Sequence, residues 1–156
     1  MPEPLRFGTD LMLLTNLERR KSSRDEGSDL SVVRRPRTGQ LDLATLDGVD
    51  NLLQALLLRF LTPVGELALL GHPDYGSRLF DLIGELNTET NRNRAKLFVL
   101  QALRDEPRVR EVLSVTVTTN RKDPAQIDIE VSLVAVDGDA PLNLVFPFFL
   151  EGGVTP

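Results

Sequence analysis

Two close pairs of carboxylates, Asp105-Glu106 and Asp137/Asp139, and a single histidine, His72, are the residues of this chain that most invite a chemical reading. Paired carboxylates do the acid and base or nucleophile work of glycoside hydrolysis. On a chain with 23 Asp+Glu, however, close pairs arise by chance. His72 has no companion ligands at helical spacing, so it does not make a zinc site. Asp137-Gly138-Asp139 carries turn chemistry and lacks the remaining ligands of a calcium loop. No G-x-S-x-G, P-loop or G-x-G-x-x-G occurs. The sequence therefore predicts no catalytic residue, no metal ligand and no cofactor.

Glu106-Pro107-Arg108 is of another kind. Proline stops a helix, and arginine offers a planar fork that matches a carboxylate bidentately. Two roles fit this triplet. It is either an internal ion pair that locks a helix-to-strand corner, or a docking contact with another subunit.

The 156 residues suit one core, with 41% hydrophobic and 26% charged residues. No apolar run reaches the length of a membrane span, and MPEPLRFGTD has no secretory pattern. Cysteine is absent, which excludes disulfides and thiolate metal sites and suits a reducing compartment. A net charge of −5 argues against nucleic acid as the main partner. The charge is uneven. Residues 1–40 carry 8 Lys+Arg against 6 Asp+Glu, and residues 41–156 carry 10 against 17. The expected organisation is an N-terminal extension or arm over 1–40, partly irregular, and a domain over 41–156.

The elements that must position the triplet follow from periodicity. Leu11–Leu14 reads as a short strand. Glu18–Gln40 is polar and aperiodic and reads as a loop or arm, with Arg34-Arg35-Pro36-Arg37 placed to meet acidic surface. Leu41, Leu43 and Leu46 begin an apolar segment, and Asp47-Gly48 is a turn or cap signal. Val49, Leu52, Leu53, Leu56, Leu57 and Phe60 lie on one helical face, stopped at Thr62-Pro63. Pro63–Gly71 reads as an extended connection, and His72–Ser77 as a compact turn. Leu79, Leu82, Ile83 and Leu86 predict a short amphipathic helix. A helix over Asn87–Asp105 follows, with Ala95, Phe98, Val99, Ala102 and Leu103 as its stripe. Leu97 and Leu100 widen that stripe, which predicts cover on two sides.

After the triplet, Leu113, Val115 and Val117 alternate with Ser114, Thr116 and Thr118. Ile127, Ile129, Val131 and Leu133 alternate with Asp128, Glu130 and Ser132, so the two runs form an antiparallel hairpin. The last strand, Leu142–Leu150, turns Leu142, Leu144, Phe146, Phe148 and Leu150 to the core, while Val145 and Phe149 point the other way. Pro147 places it at an edge, and no charge protects it between Ala140 and Leu150. Its second face is covered by the front arm or by a partner. The fold class is α+β: two longer helices and one short helix on a mostly antiparallel sheet, with a polar N-terminal arm.

Three pieces in order resemble the baseplate wedge and sheath-initiator family of contractile phage tails and related injection systems, the phage W-protein-like group with an old acidic-lysozyme label. These are the helix ending at Thr62-Pro63-Val64-Gly65-Glu66, the turn Pro73-Asp74-Tyr75-Gly76-Ser77-Arg78-Leu79, and Glu106-Pro107-Arg108 before a valine-rich strand. The likeness runs from about Leu41 to Leu150 and does not reach the front segment. It implies a structural protein, not an enzyme, that joins the baseplate wedge to the first sheath ring. Its implied partners are tail sheath protein and wedge proteins, with tube or hub proteins beyond them and neither nucleic acid nor membrane. It implies six copies in a ring, assembled in the cytoplasm and then part of the tail or injection particle. Glu106, Pro107 and Arg108 become wedge-docking residues, and Pro73, Tyr75 and Gly76 the turn motif. Leu144, Val145, Phe146, Phe148 and Phe149 become the sheath-binding edge strand. The rival classes are a small adaptor or regulatory binding protein and, third, a lysozyme-type hydrolase.

Overall fold

A computed structural model describes residues 7–14 and 30–150. The architecture is α+β, with two α-helices and short 3₁₀ turns packed against antiparallel strands. The main sheet has three strands, β5 (Val109–Thr119), β6 (Gln126–Ala135) and β7 (Pro141–Phe149), in the order β5-β6-β7. Both ladders are antiparallel. The helices α1 (Gly48–Leu61) and α2 (Glu89–Arg104) supply the rest of the core. Ile127, Ile129, Val131 and Leu133 of β6 are fully or almost fully buried, as their alternation predicts.

α1 buries Leu52, Leu56, Leu57 and Phe60 and ends at Thr62, before Pro63. Asp47 is its N-cap but makes no side-chain capping bond. α2 is capped by Thr88, whose hydroxyl accepts the Asn91 amide at 3.2 Å. Thr88→Ala is expected to cost about 1 kcal/mol, the usual value of an N-cap hydroxyl, read as a lower urea midpoint with unchanged slope.

Several expectations need correction. Val32–Arg34 (β2) and Leu41–Leu43 (β3) pair as a hairpin, so residues 32–34 are strand and only 35–40 form the connecting turn. The turn closes because Arg34 donates to the Gly39 carbonyl and Arg35 pairs with Asp42 within the hairpin itself. The earlier part of the supposed arm, up to Asp29, lies outside the described residues. The first strand is β1 (Thr9–Leu11), slightly earlier than Leu11–Leu14. It pairs with β4 (Thr45–Asp47).

Pro63–Gly71 is not extended. It coils through turns into a 3₁₀ turn at Ala68–Leu70, closed by Gly71 with φ 87°. The short helix after Arg78 is only a 3₁₀ turn, Leu79–Leu82, with Ile83 and Leu86 left exposed. α2 packs on β5 and also meets α1 and the Leu79–Leu82 turn, but its buried stripe is narrower than expected, since Leu97 and Leu100 are exposed. In β5 the ladder slips between Val112 and Ser114. A bulge adds one residue and flips the facing, so Val112 packs on the core and Leu113 points to solvent.

β7 lies at the sheet edge, with Pro147 opposite Asp128. Leu144, Phe146, Phe148 and Leu150 are buried and Leu142 packs against the same core. Phe146 stacks on Phe60 of α1, with ring centroids 5.0 Å apart and planes 10° from parallel. That stack joins the first helix to the last strand.

Candidate functional site: the helix-to-strand corner and the edge strand

α2 ends at Arg104, and Asp105 follows as its C-cap. The Glu106 amide still donates to the Leu103 carbonyl, and the Val109 amide donates to the Glu106 carbonyl. Glu106-Pro107-Arg108-Val109 is therefore a tight turn with proline second, a position that its fixed φ suits. The Arg108 carbonyl then accepts from Val136, which starts the chain along β5.

The Glu106 side chain folds back under this turn and is 4% exposed. Its Oε1 accepts from Arg108 Nε at 2.7 Å and from the Arg108 amide at 3.3 Å. Its Oε2 accepts from Arg108 Nη2 at 3.3 Å and from Arg59 Nη2 at 3.2 Å. Burial pushes the Glu106 carboxyl up, but the hydrogen bonds and charge of Arg108, with the charge of Arg59, outweigh it and hold the group below its ordinary value. The corner is thus closed by an internal triad of one carboxylate and two guanidinium groups. Pro107 stays exposed and the Arg108 side chain keeps 30% exposure.

Arg59 is the residue that sequence reasoning missed. It comes from the last turn of α1 and is almost buried, although it sits in the apolar run Leu56-Leu57-Leu58-Arg59-Phe60-Leu61. A cation in such a run is the one available signal, because burial then demands a partner. Its guanidinium lies over the Tyr75 ring at 4.6 Å. Burial pushes the Tyr75 phenol up, with the Arg59 charge working against it. Arg59 Nε is buried without a hydrogen-bond acceptor among the described residues.

The turn motif reaches this corner through Arg59. Gly76 has φ 115° and is buried. Ser77 binds α1 twice: its amide donates to the Thr62 carbonyl at 2.9 Å and its hydroxyl to the Phe60 carbonyl at 2.7 Å. Pro73, Tyr75 and Gly76 then line one bank of an open groove of about 820 Å³, whose other bank is Phe98, Gln101, Arg104 and Asp105. Arg78 stacks on Phe98 at 4.9 Å from the ring centroid.

The structure brings together Tyr75, Glu106 and Arg108, but β7 stands apart as a second site. Leu144, Phe146 and Phe148 face the core, so an incoming strand would meet their backbone and not their side chains. Val145 and Phe149 sit half-buried on the opposite face. Among the described residues no group of three or more His, Cys, Asp or Glu is placed to hold a metal. No helix among them is long and apolar enough to cross a membrane.

No protein-family model matches the chain, and no curated protein matches it. A solved structure does. The chain is similar to a Geobacter sulfurreducens protein whose crystal structure bears the name "putative tail lysozyme", at 25% identity and a TM-score of 0.56. The match covers 65% of this chain and 89% of that one. Across that span the two chains share one α+β fold.

Proposed function

We propose that this chain is a structural component of a contractile tail or injection-machine baseplate. In this reading it joins the baseplate wedge to the first sheath ring. Its mechanism is templating: β7 ends the three-stranded sheet among the described residues, and the first sheath subunits add strands along it. The observation that carries the reading is β7 itself. Among the described residues it is an edge strand, and its sequence from Ala140 to Leu150 holds Pro147 but no charged residue to oppose pairing. The fold likeness to a protein named a putative tail lysozyme supports a tail context. Sheath and wedge proteins are the partners, with tube or hub proteins beyond them and no role for nucleic acid or membrane. The chain assembles in the cytoplasm and ends in the particle.

Wedge docking falls to the outer side of the corner. Glu106 is occupied by two arginines, so a wedge partner meets Pro107 and the exposed part of Arg108. A hydrolase is not favoured. Glycoside cleavage needs one carboxyl kept protonated near neutral pH. Glu106 is the buried carboxylate of the corner, and its two arginines hold it ionised instead.

Val145→Arg places a charge on the half-buried second face of β7, away from the core. It is expected to leave the isolated domain folded, with an unfolding midpoint close to wild type, and to abolish sheath polymerisation on baseplates. Normal sheaths on the variant would sink the strand-addition mechanism. A tagged chain that recovers neither sheath nor wedge protein from cells making the particle would sink the assembly reading as a whole.

A further inference from the structure

Among the exposed apolar patches of the described residues, two have rims of opposite charge. The first is the tip of the Val64–Tyr75 loop. Leu69 is 100% exposed and Leu70 73% exposed, an extreme for leucine. The tip is held in shape: the His72 amide donates to the Leu67 carbonyl and the Gly71 amide to the Ala68 carbonyl. Between Val64 and Tyr75 the sequence holds Glu66 and Asp74 and no Lys or Arg.

The second patch is the outward face of α2. Leu97 is 51% and Leu100 36% exposed, one turn apart on the side away from the core. This helix carries four basic residues against the single acid Glu89. Arg104, which follows Leu100 by about one turn, has no ion pair among the described residues. Lys96 is exposed beside Leu97.

We infer that these patches are complementary, and that the Leu69-Leu70 tip of one copy seats on the Leu97/Leu100 face of α2 in a second copy. Leucine meets leucine at the centre, and Glu66 and Asp74 meet the basic rim of α2. The patches differ from each other, so each contact joins copies tip to face; two copies close into a pair where the contacts are reciprocal and link head to tail where they are not. The contact is small, so it is weak between free chains and gains from any assembly that holds copies side by side. This inference goes beyond the sheath reading and does not need it, since it concerns only copies of this chain.

The absence of cysteine allows a clean test. Ala68→Cys marks the tip and Asn93→Cys marks the α2 face, and both positions are exposed. The two purified chains are mixed with a short bis-maleimide. The expected result is a mixed dimer in clear excess over either self-dimer, and over mixtures in which Glu130→Cys, on the open sheet face, replaces Asn93→Cys. Glu66→Arg in the tip-marked chain is expected to lower the yield about two- to fivefold, the range of one exposed ion pair. Arg104→Glu in the face-marked chain is then expected to recover it. Mixed yield equal to the Glu130→Cys control, predominant tip-to-tip dimers, or charge reversals that do not compensate would each overturn the contact.

Discussion

Glu106→Ala is expected to lower the unfolding free energy of the isolated domain by about 3–5 kcal/mol, the usual cost of removing one partner from a buried ion pair. The loss is large because of what remains. Arg59 would stay almost buried with its charge uncompensated, and its Nε already lacks an acceptor. Arg108→Ala is expected to cost less, about 1–3 kcal/mol, because its side chain is partly solvated and Arg59 still serves the carboxylate. Urea unfolding of the two variants reads both values. A loss below about 1 kcal/mol for Glu106→Ala would show that the Pro107 turn, and not the ion triad, holds the corner.

The pH dependence has a definite sign. Glu106 has a folded-state value below its unfolded one, so its contribution is complete above the unfolded carboxylate range. It is lost as pH falls through the folded value. Wild type is therefore expected to lose more stability than Glu106→Ala on acidification, and the two unfolding curves to converge. These measurements on the isolated domain also separate the two roles of the corner. A change confined to assembly would leave them untouched.

Gly76→Ala is expected to be comparably severe, at about 4 kcal/mol, where backbone strain and a steric conflict act together. A Cβ at this position would stand 2.3 Å from the Thr62 carbonyl oxygen and 3.0 Å from the carbonyl carbon of Pro63. Those are backbone atoms at the end of α1, and they cannot step aside as a side-chain tip would. The φ of 115° adds a conformation that side chains rarely adopt. Gly65→Ala is the matched control. Its φ of 91° is strained as well, but nothing lies within 4 Å of the added atom. It is expected to cost only about 1–2 kcal/mol, the strain alone. Equal melting temperatures for the two variants would show that the close approach of the turn to α1 does not matter.

Much of the frame was legible in the residues. The Leu52, Leu56, Phe60 spacing, the Ile127 to Leu133 alternation and Pro147 each fixed an element, because burial selects side chains at the period of the backbone. The failures share a physical cause. Leu113 went to the wrong face because a bulge adds a residue without leaving a mark in composition. The 3₁₀ turns at Ala68–Leu70 and Leu79–Leu82 are too short to show a period. The β2–β3 hairpin was missed because its strands, Val32–Arg34 and Leu41–Leu43, are three residues long, too short to show an alternation, and their apolar side chains stay exposed. At the site, the Glu106–Arg108 pair was legible from adjacency. Arg59 was not, since its partner lies 47 positions away and only the fold brings them together.

The β1–β4 pairing has a consequence for how the molecule comes apart. Its strands are three residues long and exposed along most of their length. They are tied to α1 through Asn51, which holds the Phe7 carbonyl, and Gln54, which holds both Leu11 and the amides of Leu13 and Leu14, while the Phe7 ring is the flanking side chain sunk in the core, with Leu14 packed against it. Forming this pair closes a long stretch of chain, whereas β5, β6 and β7 follow one another through short turns. The three-stranded sheet and its helices can therefore persist while the N-terminal strand is released. The front of the chain is a latch on a finished domain, detachable at a fraction of the free energy that unfolds the rest.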